Sequence, residues 1–186
     1  MIILDSDLES DQFPETNRKR SAAPTPGAQS RDNRVPSARA LARFLREAQA
    51  QVKLRGQVTV LLTTDSVIRQ LNREFRGTNK ATDVLSFPAA KLSPVSKANS
   101  LGKVRAGSGA PIVLGDIAIS VHTARKQSAA IGHALAVEIK VLMLHGLLHL
   151  AGYDHETDEG EMGRLEERLR SKLRLPHGLI ERSVRA

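Results

Sequence analysis

Apolar positions along the chain fall into runs of two periods. Ile2-Ile3-Leu4 is short, β-branched and bounded by acids, which suits a first strand. Ser37 is placed to cap a helix over about Ala38 to Leu54, with Leu41, Leu45, Ala48 and Val52 forming one stripe that should lie on a sheet. From Gln57 to Thr63 the period changes to two, with Val58, Val60 and Leu62 on one face of a strand. Asp65 or Ser66 then caps a helix carrying Val67, Ile68, Leu71 and Phe75. A polar loop follows, and Val84 to Phe87 reads as a short strand stopped by Pro88. Val113 to Ser120 returns to strand character, and Val121 to about Ile131 to a helix. Ala134 to Ala151 has almost no polar face in its second half, so it is expected to be the buried central helix. An acidic run, Glu156 to Glu161, opens a last helix with Met162, Leu165, Leu169 and Leu173 inward. Helices and strands alternate in the first half, which points to an α/β or α+β layer.

Two stretches break this pattern. Residues 5–36, with Arg18-Lys19-Arg20 in the middle, and residues 91–111 are rich in Pro, Ser, Gly and charge without an apolar period. Both read as flexible excursions from a single domain spanning residues 1–186. Solvated charge is the economical reading of the basic triplet.

Composition narrows the chemistry. The 186 residues contain no cysteine, which excludes disulfides and thiolate metal sites and leaves His, Asp and Glu as metal ligands. The first residues lack the basic start and apolar run of a secretory signal, and no apolar run is long enough to span a membrane without a His or a charge. A cytoplasmic protein with no membrane partner is expected. A formal net charge of +8 suits a polyanionic partner such as RNA without requiring one.

Within the central helix lies His145-Gly-Leu-Leu-His149-Leu-Ala-Gly152-Tyr-Asp-His155. Residues four apart on a helix stack about 6 Å along its axis, so His145 and His149 face one ion. A third ligand ten residues after the first requires the chain to turn back, and Gly152 stands where a left-handed cap would turn it. Three imidazoles leave a fourth position open, as in a catalytic rather than a structural zinc site. A core position for them would keep them neutral, as coordination needs.

Other residues are weighed against this centre. Arg76 offers a planar fork for a phosphate and Lys80 a point charge, although a loop arginine is often merely solvated. Asp116 either orients a metal ligand or pairs with an amide or a cation. Glu138, two turns before His145, either bonds a ligand or substrate or favours the helix start. His122, His133 and His177 read as surface or cap residues.

The histidine spacing matches metzincin proteases, H-E-x-x-H-x-x-G-x-x-H, but Gly146 replaces their glutamate and can neither accept nor donate a proton. Peptide hydrolysis is the weaker option, and phosphodiester chemistry, with cationic groups steadying an oxyanion, the stronger.

The histidine run, with Thr82-Asp-Val-Leu-Ser-Phe-Pro88 and Leu114-Gly-Asp-Ile117 upstream, resembles the bacterial YbeY family of ribosomal RNA maturation endoribonucleases. The likeness spans roughly Ala38 to Leu175, while residues 5–36 and 91–111 look longer than is usual. It implies an α+β, zincin-like fold, with a small mixed sheet of about four strands beneath the metal helix. It further implies one Zn2+ on His145, His149 and His155, and Arg76 near the phosphate. The expected activity is cleavage of single-stranded RNA in 16S 3′-end maturation and ribosome quality control, with ribosomal RNA and the small subunit as partners and no DNA. Two alternatives stand beside it: an assembly factor with structural zinc and, less favoured, a metalloprotease.

Overall fold

The computed structural model describes residues 1–6, 8, 33–89, 112–155 and 157–176. Four strands, β1 (Ile2–Leu4), β2 (Gln57–Thr63), β3 (Val84–Pro88) and β4 (Val113–Ser120), form one sheet in the order β1-β2-β4-β3. β1, β2 and β4 are parallel, and β3 runs antiparallel to β4 as an edge strand. Five helices are described: α1 (Ala38–Val52), α2 (Asp65–Arg76), α3 (Val121–Ile131), α4 (Leu135–Leu150) and α5 (Glu161–Lys172). This is the expected α+β layout with a small mixed sheet. The two excursions at 5–36 and 91–111 lie mostly outside the described residues, as does His177.

Alternation along the strands divides the molecule. Val58, Val60 and Leu62 of β2, with Ile117 and Ile119 of β4, face a large core closed by α1, α4 and α5. Ala118 and Leu85 point the other way, to Ile68 of α2. The main core includes Leu135, Ile139, Met143, Leu144, Leu147 and Leu148 of α4, so that helix is central. Each such side chain contributes about 1.5–3 kcal/mol by leaving water. No single described helix is long and apolar enough to cross a membrane.

Two helix ends differ from the sequence expectation. α1 stops at Val52, because Lys53 takes a left-handed conformation (φ 63°) and Leu54 N–H returns to the Gln49 carbonyl at 2.9 Å. α2 is capped by Thr64, whose hydroxyl accepts from Val67 N–H, and not by Asp65 or Ser66. Asp65 instead accepts hydroxyl hydrogen bonds from Ser120 and, at 2.8 Å, Thr123. It thereby ties the start of α2 to the β4–α3 junction, a tertiary contact that outranks local capping.

α4 approaches the sheet closely through Gly146. A Cβ there would stand 2.9 Å from Ile117 Cγ2 and 3.1 Å from Ser86 Oγ. This position faces β3 and β4, so a glutamate would collide with the sheet. Gly146→Ala is expected to lose about 1 kcal/mol in urea unfolding, an overpacking cost of about 1–3 kcal/mol partly offset by about 1 kcal/mol of helix propensity.

Candidate metal centre

The last turn of α4 and the chain reversal after it build the centre. Gly152 adopts φ +92°, its N–H donates to the His149 carbonyl at 2.9 Å, and Tyr153 N–H donates to Leu148 at 3.1 Å. These two bonds form a Schellman cap. Tyr153 packs against the core and fixes the reversal, which carries His155 back beside the helix. The three rings converge with centroids 4.8, 5.3 and 5.3 Å apart, and one ligand nitrogen from each lies within 4.8 Å of the others. His145 Nε2 and His149 Nε2 are 3.1 Å apart. Adjacent nitrogens on a tetrahedral zinc stand about 3.3 Å apart, given bonds of about 2.0–2.1 Å. The trio could hold a metal ion.

Their surroundings fit that use. Glu166 of α5 lies 3.1 Å from His145 Nδ1, and Arg170 Nε donates to the same carboxylate at 3.0 Å. Burial pushes the Glu166 carboxyl up, but the hydrogen bond and charge of His145, together with the Arg170 guanidinium, outweigh it and hold it below its ordinary value. An ionised carboxylate only accepts, so Nδ1 of His145 is the nitrogen that donates to it, and when the ring is neutral its lone pair is left on Nε2, towards His149. His155 Nδ1 is buried without a hydrogen-bond partner among the described residues, which suits a ligand atom better than a structural one.

The rings are half-buried at the mouth of a cleft, not sealed in the core as the apolar run suggested, because the helix ends there. Burial, followed by the neighbouring His145 and His155, lowers the His149 pKa to about 4. An unfolded histidine titrates near 6.5. The neutral ring therefore contributes stability that is complete above about pH 6.5 and is lost as the pH falls towards 4. Metal-stripped protein should show a melting temperature that drops across this window, and His149→Ala should flatten that slope.

The cleft, of about 790 Å³, is within the size range of ligand sites and is also lined by Arg76, Lys80, Asp83, Ser86, Gln127 and Arg170. Arg76 ends α2, where Gly77 takes a left-handed cap at φ 69°. The buried Asn72 side chain donates to the Lys80 carbonyl at 2.8 Å and pins the loop against α2. Asp83 accepts from Val84 N–H at 2.9 Å and from Gln127 Nε2 at 2.9 Å, which holds the start of β3 against α3.

Two expected site residues lie elsewhere. Asp116 is exposed on the α2 side of the sheet, since its neighbour Ile117 faces α4, so it orients no histidine. Glu138 is fully buried but sits at the start of α4, 2.5 Å from His133 Nε2 and outside the cleft. Its partner His133 is correspondingly more than a surface or cap residue. The carboxylate bonded to His145 is Glu166, which the sequence reading missed. One signal was present: Glu166 follows Met162 by four positions and Arg170 follows Glu166 by four, placing both charges within the inward stripe.

A family model described as Endoribonuclease YbeY matches residues 28–174. Among curated relatives named Endoribonuclease YbeY, one from Koribacter versatilis is 46% identical over 80% of this chain and 86% of its own. Another, from Solibacter usitatus, is 47% identical over 77% of this chain and 84% of its own. A third, from Helicobacter pylori, is 36% identical over 68% and 78%. With one family model covering most of the chain and relatives this similar over most of their length, the chain belongs to the YbeY endoribonuclease family.

Proposed function

We propose that this protein is a zinc-dependent endoribonuclease that cleaves single-stranded RNA, acting in the cytoplasm on the 3′ end of 16S ribosomal RNA and in ribosome quality control. The observation that carries this reading is one cleft lined both by three converging, half-buried histidines and by the exposed cations Arg76 and Lys80. The relatives' name supports RNA as the substrate class. His145, His149 and His155 would hold the ion, which supplies Lewis-acid chemistry towards a phosphoryl oxygen.

The chain's own groups have separate tasks. Arg76 is exposed at a helix end and free to present its fork to the phosphate, where a guanidinium binds two oxygens at once. Lys80 adds positive charge in the same cleft and raises the local concentration of a polyanion. Glu166 fixes the His145 tautomer. Gly146 provides no proton-transfer group, which disfavours proteolysis. The open cleft beside the histidines disfavours a purely structural zinc in an assembly factor.

The test is cleavage of a single-stranded RNA by zinc-loaded wild type and Arg76→Glu. Activity should fall at least about 100-fold in the variant, since a charge that stabilises the transition state is replaced by one that repels the phosphate. Wild type that is folded and zinc-loaded yet leaves RNA intact, with or without small ribosomal subunits, would refute the reading. Labelling of the product ends, as cyclic phosphate or as hydroxyl and phosphate, identifies whether the RNA 2′-hydroxyl or water attacks.

A further inference from the structure

Phe75 is 61% exposed, although it lies on the inward stripe of α2 with Ile68 and Leu71. The reason is position. Ile68 packs into the small buried cluster with Leu85 and Ala118, whereas Phe75, two turns on, stands outside that cluster and meets the ring of Phe87 on the edge strand β3. The two rings are edge to face, with centroids 5.2 Å apart and planes at 65°, so the largely exposed Phe75 ring is braced by Phe87. The chain has only four phenylalanines and no tryptophan, and two of the four form this pair.

Phe75 adjoins the cleft from α2, since Arg76, the next residue, and Asn72, one turn earlier, both line it. On β3 the cleft is lined by Ser86 and Pro88, while Phe87 between them faces the α2 side of the sheet, where it meets Phe75. Residues 72, 75 and 76 fall within an arc of about 100° on a helix. A strand of nucleic acid whose phosphate is held by Arg76 therefore has an exposed aromatic ring within reach of the adjoining nucleotide.

The geometry points to Phe75, braced by Phe87, as a stacking platform for an unpaired nucleobase next to the scissile phosphodiester. This deepens the proposed function and rests on it. A phosphate is bound by charge, but a base is held chiefly by its face, and aromatic side chains stack on bases of any sequence. The cations Arg76, next to Phe75 in the chain, and Lys80, both of which line the cleft, favour a polyanion over an apolar protein surface as the occupant. Stacking also discriminates against duplexes, whose bases are already stacked and paired.

The experiment uses full-length zinc-loaded wild type, Phe75→Leu and Phe75→Trp, with equal melting temperatures checked first. The probes are single-stranded RNAs of one sequence, intact or with a single abasic nucleotide walked through successive positions. Wild type should lose about 5- to 100-fold in RNA affinity when the abasic nucleotide occupies one register near the cleaved bond. Phe75→Leu should lose a similar factor on intact RNA and nothing further at that register, while Phe75→Trp should retain wild-type behaviour. The proposal is overturned if Phe75→Leu binds intact RNA like wild type, the outcome expected of a protein-docking residue, or if its loss adds fully to that of the abasic nucleotide at every register. Wild type that binds no RNA overturns the functional reading itself, a result distinct from either of these.

Discussion

His149→Ala should fold normally, hold little or no zinc, and cleave single-stranded RNA at least about 100-fold more slowly than wild type. The expectation follows from the position of the ring. His149 is half-buried at the cleft, one turn after His145, with its Nε2 3.1 Å from the equivalent atom of His145. Its truncation removes a ligand nitrogen but opens no cavity in the core, whose nearest members, Leu147 and Leu148, are held by their own contacts. Losing one of three ligands leaves two imidazoles, too few to hold zinc against solvent. Metal content by elemental analysis, melting temperature and RNA cleavage measured on one preparation decide the matter. A variant that retains cleavage would remove the histidines from the mechanism. One that unfolds would assign them to the fold.

Replacing Glu166 and Arg170 together by leucine and methionine should leave stability unchanged or higher while weakening zinc affinity about 10- to 100-fold. Glu166 and Arg170 are each 1% exposed and bonded to one another within α5. A buried ion pair of this kind returns little net stability, because desolvation offsets most of the attraction, so its presence calls for another use. The available use is His145, whose Nδ1 proton the carboxylate holds. The single variant Glu166→Ala should behave differently, losing about 3–5 kcal/mol because the Arg170 charge is left buried without its partner. Zinc competition against a chromophoric chelator, paired with urea unfolding of both variants, separates the two effects. Equal zinc affinity in wild type and the double variant would show that Glu166 orients nothing.

Most of what governs local structure was legible in the residues. The period-two run at Val58, Val60 and Leu62 identified a strand and its core face, which the register of β2 bears out. Gly152 announced the chain reversal because few residues other than glycine adopt φ near +92° without strain, and three histidines at fixed spacing then had to converge. Phe75 shows where such reading stops. Its place on the helical stripe is a property of the chain, but its exposure depends on how far α2 runs beyond the buried cluster.

The same limit applies to the carboxylates. For Asp116 and Glu138 the residues alone leave a role beside the histidines and an ordinary structural role both open. Their direction was set by helix rise and strand alternation, which took one to His133 and the other to the opposite face of the sheet. Glu166 is 21 residues from His145, and only the packing of α5 against α4 brings them together. The sequence by itself determined the elements, the histidine trio and its chain reversal, because periodicity, capping and residue chemistry act over a few residues. The tertiary structure alone decided which acid meets His145, which face Asp116 takes and why Gly146 must lack a side chain. Those outcomes depend on distances between segments far apart in the chain, which local preferences do not encode.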